Sequence, residues 1–248
     1  MLKENLYGLS ADVVGLQEVV FGPKQLDQLS KAEDESFPLI ETTHEQYQVR
    51  EAALQIQYFD ISESLDPRAR IDGNATLVSE DMLIHDHRVL HISAVRNAQL
   101  VKIALPNDRM LFFVNTHLHH EICDDLIRKH QSDQVMRWAE MQPDYRADCD
   151  IIMIAGDFNA NPDSETYKHI IQGGYVSAYR EFHGEEPEIT FPTGLTAEWM
   201  DTDPPGTFDF IFIKGKCQVV GAEVSGRGAR KIDPTIFGSD HMAVVVEI

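Results

Sequence analysis

The chain has 248 residues, of which 43% are hydrophobic and 25% are charged, as in a globular protein long enough to bury a substantial core. Asp and Glu number 41 against 21 Lys and Arg, which gives a formal net charge of −20. This charge argues against broad, non-specific binding to duplex nucleic acid, which needs a positive surface, but it leaves a local basic groove or a cation-neutralised one open.

Hydropathy and cysteine usage indicate the cellular compartment of the protein. No apolar run approaches the roughly 20 residues that a membrane-spanning helix needs, and the first residues contain no apolar signal core. The three cysteines (Cys123, Cys149 and Cys217) are far apart and show no Cys-x-x-Cys spacing. They favour reduced thiols over a zinc site or a disulfide framework. We therefore predict an intracellular, cytoplasmic protein without a membrane span, and a nuclear location stays open.

The first predicted element is a buried strand over residues 11–19 that carries Glu18 at its end. A carboxylate at the mouth of an apolar strand costs desolvation free energy unless it is paired, solvated or bound to a metal. A salt bridge at the rim is the alternative to a metal. The next predicted elements are a helix over 23–36 and weak strands at 47–49 and 53–58. A turn then leads into a strand that ends at Val78.

The middle of the chain predicts a β-hairpin and a helix. Strands over 96–105 and 110–117 are joined by a turn at 106–109, and the second strand ends in His117. A helix follows over 124–141, and its apolar side chains are Leu126, Ile127, Val135 and Trp138.

The segment 151–162 carries the strongest pattern. Four apolar residues lead into Gly156, and Asp157 and Asn159 then stand two residues apart before Pro162. Period-two alternation directs both side chains the same way from the end of the strand. A carboxylate and an amide so placed can hold a divalent cation, orient a water molecule or bind a phosphate oxygen. An Asx turn that merely closes a core strand is the alternative.

The last third of the chain predicts a helix over 164–173, a long loop rich in proline and acidic residues over 184–206, and strands over 208–213, 217–223 and 242–248. Asp209 lies within the first of these strands, and Asp240 and His241 precede the last. No linker, repeat or low-complexity tract divides the chain, which predicts one domain.

Polar residues at strand ends suggest a single site. Four apolar strands carry them at one end and a fifth carries one within it, and such ends can cluster at one rim of a sandwich of sheets. Phosphodiester cleavage needs carboxylates for Mg²⁺, a base for water and donors for negative charge, which this set supplies. A histidine beside a carboxylate is held in one tautomer and is made more basic, as acid–base work near neutral pH requires. The set is Glu18, His117, Asp157, Asn159, Asp209, Asp240 and His241.

At these positions the chain resembles the endonuclease/exonuclease/phosphatase (DNase I-like) superfamily. The resemblance implies an α/β (α+β) fold, a four-layer sandwich of two mostly antiparallel β-sheets flanked by helices, in a single domain over 1–248. The segments that carry it, in the family's order, are Leu16-Gln17-Glu18-Val19, Asn115-Thr116-His117-Leu118, Gly156-Asp157-Phe158-Asn159, Thr207-Phe208-Asp209-Phe210-Ile211 and Ser239-Asp240-His241.

The resemblance also implies roles for these residues. Glu18 would be the main ligand of Mg²⁺, for which Mn²⁺ is an alternative, and Asp240 would lie beside the metal. Asp157 would orient the attacking water or stabilise the leaving oxygen. Asn159 and His117 would contact the scissile phosphate.

Two further roles concern the histidine near the C-terminal strand and an arginine. Asp209 would orient His241, the acid–base histidine. Arg96 lies where DNase I-like nucleases place a phosphate-contacting arginine, and a surface arginine is the alternative.

One departure from the family concerns its first strand, which normally ends in an asparagine that joins the metal site. Only ten residues precede Ala11, and Asn5 falls where the following helix is expected, so the role is not carried onto Asn5. We therefore expect the first strand to be missing. Its loss would weaken metal binding and expose a sheet edge unless another chain supplies the strand.

The substrate is predicted from weaker similarities. Pro162, Asp163, Ser164 and Tyr167, with residues 71–76, are similar to the deadenylase-like and related branches, although those usually carry cysteine where this chain has Asn74. The predicted function is a Mg²⁺-dependent phosphodiesterase whose partners are RNA or DNA ends. A phosphatase or phosphodiesterase of a small molecule or lipid headgroup, and a catalytically weakened, binding-only relative, are the alternatives. The oligomeric state stays open.

Overall fold

A mixed β-sheet lies at the centre of the fold. The computed structural model describes residues 11–20, 72–79, 81–195, 203–226 and 239–248. In this part of the chain the central sheet has six strands in the order β3-β4-β5-β6-β8-β7, and β1-β2 and β9-β10 form two-stranded sheets. The strands are β1 Val13–Val20, β2 Asp72–Val78, β3 Ile84–His91, β4 Asn97–Leu105, β5 Arg109–His117, β6 Ile151–Asp157, β7 Val176–Ser177, β8 Asp209–Gly215, β9 Gly221–Ser225 and β10 Ala243–Glu247. The helices are α1 Asp125–Glu140, α2 Glu165–Gln172 and α3 Ala178–His183.

The central sheet has a parallel pair at its middle. Strands β4 and β5 form the predicted hairpin, with antiparallel pairing from Ala98↔Thr116 to Leu105↔Arg109. Strands β5 and β6 are parallel, whereas β6 and β8 are antiparallel. All seven residues of β6 are buried, as expected for a strand covered on both faces.

The two faces of this sheet have different coverings. On one face α1 and α2 contribute Val135, Met136 and Ile170 to a core with Ile152 and Phe212. On the other face the two-stranded sheets contribute side chains such as Val78 and Val246 to a core with β4, β5 and β6. The predicted α/β sandwich of sheets and helices is thus confirmed. The predicted helix over 23–36, the weak strands at 47–49 and 53–58, and residues 1–10 lie outside the described residues.

Helix α1 corrects one prediction from periodicity. Leu126 and Ile127 are 75% and 45% exposed, so they do not belong to the buried face, although Val135 is buried and Trp138 packs partly against the core. The N-terminal half of the buried face is polar instead, with Arg128 and Gln131. These two side chains bind main-chain groups of the loop before the helix, and the need of those buried groups for hydrogen bonds outweighs apolar burial.

No helix among the described residues has the length and apolar character to cross a bilayer.

Candidate active site

The predicted site residues from the central sheet meet at one edge. His117, the last residue of β5, is paired with Asp157, the last residue of β6. Asp157 is also paired with Asp209, the first residue of β8. Because β8 runs antiparallel to β6, its start lies beside the end of the parallel pair, and three polar side chains come from three neighbouring strands.

The loop before β10 brings His241 to this row. His241 Nδ1 lies 2.9 Å from Asp209 Oδ2, and His241 Nε2 lies 3.9 Å from Asp157 Oδ2. Burial would lower the pKa of His241, but the negative charges of Asp209 and Asp157 outweigh it and raise the pKa well above the ordinary value. The imidazole therefore donates its Nδ1–H to Asp209 and directs Nε2 toward Asp157.

Asp157 uses its two carboxylate oxygens differently. Oδ1 accepts a hydrogen bond of 2.8 Å from the N–H of Asn159, so the Asx turn considered from the sequence is present. Oδ2 faces the histidines instead. Burial, reinforced by the charge of Asp209, raises the pKa of Asp157 above its ordinary value. The turn and a chemical role are therefore compatible, since the turn occupies one oxygen only.

Asn159 itself lies beyond the strand, in the left-handed backbone region at φ 49°. Its Nδ2 donates to the carbonyl oxygen of Leu118 at 3.2 Å. Because Asn159 is outside the extended strand, the predicted period-two alternation does not describe it. The Asx turn and the bond to Leu118 place the amide at the same edge as Asp157.

Arg96 fixes the protonation of His117. Arg96 Nη1 lies 3.2 Å from His117 Nδ1, and Arg96 Nη2 lies 3.3 Å from His120 Nδ1. A guanidinium has only donors, so Nδ1 of each ring must accept and the proton of neutral His117 resides on Nε2. Burial, followed by the charge of Arg96, lowers the pKa of His117 well below its ordinary value. His117 Nε2, 3.7 Å from Asp157 Oδ2, is therefore a neutral hydrogen-bond donor.

Glu18 and Asp240 add carboxylates around this cluster. Glu18 lies in a bulge of β1, is exposed, and has φ 54°. Its charge helps to raise the pKa of Asp157, and the charge of Asp240 helps to raise that of His241. Asp157, Asp209 and His241 alone bring one potential ligand atom each within 4.8 Å of one another. Four carboxylates thus lie in or around this site, and carboxylate oxygens are suitable ligands for a hard divalent cation such as Mg²⁺ or Mn²⁺.

Sequence reasoning missed the side chains that hold Asp209 and His241 in place. Thr190 Oγ1 accepts from the backbone N–H groups of residues 208 and 209, at 2.9 and 3.2 Å. The N–H of Thr193 donates to the carbonyl oxygen of Asp240 at 2.8 Å, and its hydroxyl donates to that of residue 239 at the same distance. The long loop predicted over 184–206 was an indication of their importance, since loops of this length in a compact domain are usually functional.

Another missed residue is Arg128, which is buried on α1. Its guanidinium donates to carbonyl oxygens of residues 119, 121 and 122, in the loop that follows His117. Gln131 Oε1 accepts from the N–H of His119 at 2.8 Å. The sequence signal was an arginine and a glutamine three residues apart on one helix face.

Known proteins resemble this chain in their family sequence pattern and in their fold. The model of the Endonuclease/Exonuclease/phosphatase family matches residues 2–241, whereas no curated protein matches the chain in a sequence search. The solved structure of D. rerio TDP2 complexed with single strand DNA product has a TM-score of 0.69 at 16% identity, over 99% of this chain and 88% of that one. Truncated Caenorhabditis elegans TDP2 has 0.65 at 18%, over 97% and 85%. The human Nocturnin catalytic domain with bound sulfate anion has 0.64 at 17%, over 99% and 83%. At these identities the likeness concerns the fold.

Proposed function

We propose, because the chain belongs to the endonuclease/exonuclease/phosphatase family, that it is a metal-dependent phosphodiesterase acting on nucleic acid ends. The activities in the family's name all hydrolyse phosphoester bonds, so phosphoester hydrolysis is the general expectation and the resemblance seen in the sequence is confirmed. The cleaved bond, the metal and the substrate are the proposed parts.

The observation that carries the proposal is the convergence of two histidines on one buried carboxylate. Asp157 Oδ2 lies 3.7 Å from His117 Nε2 and 3.9 Å from His241 Nε2. A proton acceptor, a neutral donor and a cationic imidazole next to one another are the groups that water attack on phosphorus needs. Glu18 and Asp240 would hold the Mg²⁺, which supplies Lewis-acid polarisation of a phosphoryl oxygen.

Each side chain then has one task in the proposed mechanism. Asp157, whose pKa is raised by burial, accepts a proton from the attacking water as the new P–O bond forms. His117 Nε2–H and the Asn159 amide donate to phosphoryl oxygens. The P–O bond to the leaving group breaks, and His241 gives its Nε2 proton to the leaving oxygen while Asp209 holds the opposite side of the ring.

Nucleic acid ends are favoured as substrates for two reasons. Arg96, His117 and His120 place cationic and donor groups beside Asp157 in a chain of net charge −20. One guanidinium and a few neutral donors can contact the few phosphates of a strand end, whereas long duplex DNA needs a broad positive surface, which a net charge of −20 disfavours. D. rerio TDP2, of similar fold, was solved with a single strand DNA product.

Turnover of a fluorescent poly(A) oligonucleotide and of a generic phosphodiester, with and without Mg²⁺, tests the proposal. Wild type should cleave the oligonucleotide only with metal, and Asp157→Ala and His241→Ala should each lower the rate by about 100-fold or more. Asp144→Ala, which removes an exposed carboxylate paired with Lys102, is the matched control. Cleavage of the simple ester alone would indicate a small-molecule or lipid-headgroup substrate. No cleavage of either would indicate a binding-only relative.

A further inference from the structure

A fully buried amide links the central sheet to the strand that carries Glu18. Asn115 on β5 is 0% exposed. Its Nδ2 donates to the carbonyl oxygens of Leu16 at 3.1 Å and Ala75 at 2.9 Å, and its Oδ1 accepts from Gln17 Nε2 at 2.6 Å. One side chain thus binds β1 and β2 together and attaches both to the sheet beneath them.

These bonds are made at the irregular point of β1. The β1–β2 register shifts between Leu16 and Val19, so residues 17 and 18 form a bulge. Glu18 has φ 54°, a left-handed conformation that costs a non-glycine residue about 1 kcal/mol or more. Such a conformation persists only where the surroundings hold it, and Asn115 binds the two residues before Glu18.

Gly15 gives an independent indication that the amide position matters. Its φ is not in the left-handed region, so the backbone does not require glycine there. A Cβ at residue 15 would instead lie 3.0 Å from both Cγ and Oδ1 of Asn115. The missing side chain makes room for the amide directly beneath β1.

Asn115 also lies on the same face of the sheet as His117. It lies two residues before His117 on β5, so the two side chains share a face of the sheet, and β5 is paired in register with β6 up to His117↔Asp157. The bonds of Asn115 therefore determine where the Glu18 bulge stands relative to Asp157.

We propose that Asn115 is a positioning residue that, with Gln17 and Gly15, holds Glu18 in the conformation that binds the divalent cation. The inference rests on the proposed role of Glu18 as the metal ligand. It assigns metal affinity to a neutral amide that does not itself touch the ion.

Direct Mn²⁺ binding to the full chain tests this without substrate. Electron paramagnetic resonance measures the concentration of free Mn²⁺ during titration of wild type, Asn115→Leu, Gln17→Leu and Gly15→Ala. The dissociation constant should rise by about tenfold in Asn115→Leu, as for other residues that orient metal ligands. It should rise by about threefold in the other two, where one neutral hydrogen bond or a contact is lost.

The matched control is Thr116→Val, which is nearly isosteric. Thr116 is the next residue on β5, so its side chain lies on the opposite face of the sheet. It is also fully buried and donates one hydrogen bond to the backbone carbonyl of Asn97. This variant should bind Mn²⁺ as wild type does. Equal loss of affinity in Thr116→Val and Asn115→Leu would overturn the inference, because it would reflect general loosening of β5.

Glu18→Gln separates failure of the inference from failure of the proposed function. If Glu18→Gln loses Mn²⁺ affinity and the amide variants keep it, only the inference fails. If Glu18→Gln binds Mn²⁺ as wild type does, the metal role of Glu18 fails and the inference falls with it. If Asn115→Leu does not fold, as judged by circular dichroism, Gln17→Leu and Gly15→Ala decide the result. Wild-type affinity in both would refute the proposal.

Discussion

The hydrogen bond between His241 and Asp209 is the contact whose loss we expect to affect the reaction most selectively. Asp209→Asn keeps the shape of the side chain but removes its charge. If the amide nitrogen faces His241, Nδ1 can no longer donate, and the neutral ring must place its proton on Nε2. If the amide oxygen faces the ring, the bond survives without ionic character. In both cases the ring is less able to hold the second proton that makes it a cationic acid, so Nε2 is a poorer proton donor to the leaving oxygen.

The size of the effect follows from the geometry of this pair. A hydrogen bond to a charged group contributes about 1.5–3 kcal/mol, and each 1.36 kcal/mol is about a factor of ten in rate. The Asp209 side chain is only 13% exposed and the bond is 2.9 Å long, so water replaces little of what is lost. We therefore expect kcat/KM to fall by about 10- to 150-fold.

The assay is kcat/KM for the oligonucleotide at saturating Mg²⁺, measured for Asp209→Asn, His241→Ala and the double variant. The losses should not add, because Asp209 acts through His241. Asp144→Asn is the control: its side chain is 71% exposed, its partner is Lys102 at 3.0 Å, and it should stay within about twofold of wild type. Additive losses, or a wild-type rate in Asp209→Asn, would refute the reasoning.

Three further predictions concern stability, measured by urea unfolding. Buried Asp150 accepts four hydrogen bonds from N–H groups of Met110 and Arg146. Although burial raises its pKa, the bonds from Arg146 and the backbone leave the pKa below the ordinary value. Asp150→Asn should therefore cost about 2–4 kcal/mol above about pH 4, and its difference from wild type should shrink as the pH falls through the lowered pKa. Gly156→Ala should cost roughly 2–4 kcal/mol, because φ is 149° and its Cβ would lie 1.9 Å from a backbone oxygen of β5. Thr190→Val should cost about 1–3 kcal/mol and also lower kcat/KM, because the start of β8 loses its acceptor.

Each of these predictions has its own check. A pH-independent difference for Asp150→Asn would show that its charge is not what stabilises the fold. Gly184→Ala is the control for Gly156→Ala: φ is 86° there, but nothing lies within 4 Å of the added Cβ, so only about 1–2 kcal/mol should be lost. A Thr190→Val variant that unfolds more easily but keeps full kcat/KM would contradict the prediction for catalysis, because it would show that Thr190 only stabilises the fold.

The sequence was informative wherever a buried strand ends in a polar residue. His117 and Asp157 follow apolar runs long enough to be strands, and the parallel pairing of β5 and β6 brings their ends together. The contact between Arg96 and His117 could not have been deduced from the hairpin, because Ala98 pairs with Thr116, so residue 97 rather than Arg96 lies opposite His117, and Arg96 precedes β4. The polar half of α1 could not have been deduced either, because periodicity assumes that buried helix faces are apolar.

Contacts between distant parts of the chain left no local signal. Gln17 and Asn115 are 98 residues apart, and nothing near either residue indicates the other. The contacts of Thr190 and Thr193 with the segments that carry Asp209 and His241 could not be placed from the sequence either. The length of the loop indicates a function, but its conformation depends on the sheet against which the loop packs.

The long separation between Gln17 and Asn115 also has a consequence for how the protein is made. Closing so large a loop costs chain entropy before any contact rewards it, so pairings of this kind form late and slowly. During synthesis from the N-terminus, the strand carrying Glu18 must wait for β5 to emerge, and His241 is added only after about 120 further residues. Carboxylates and histidines therefore meet only after residue 241 has been synthesised, and a shorter nascent chain lacks part of the reactive set.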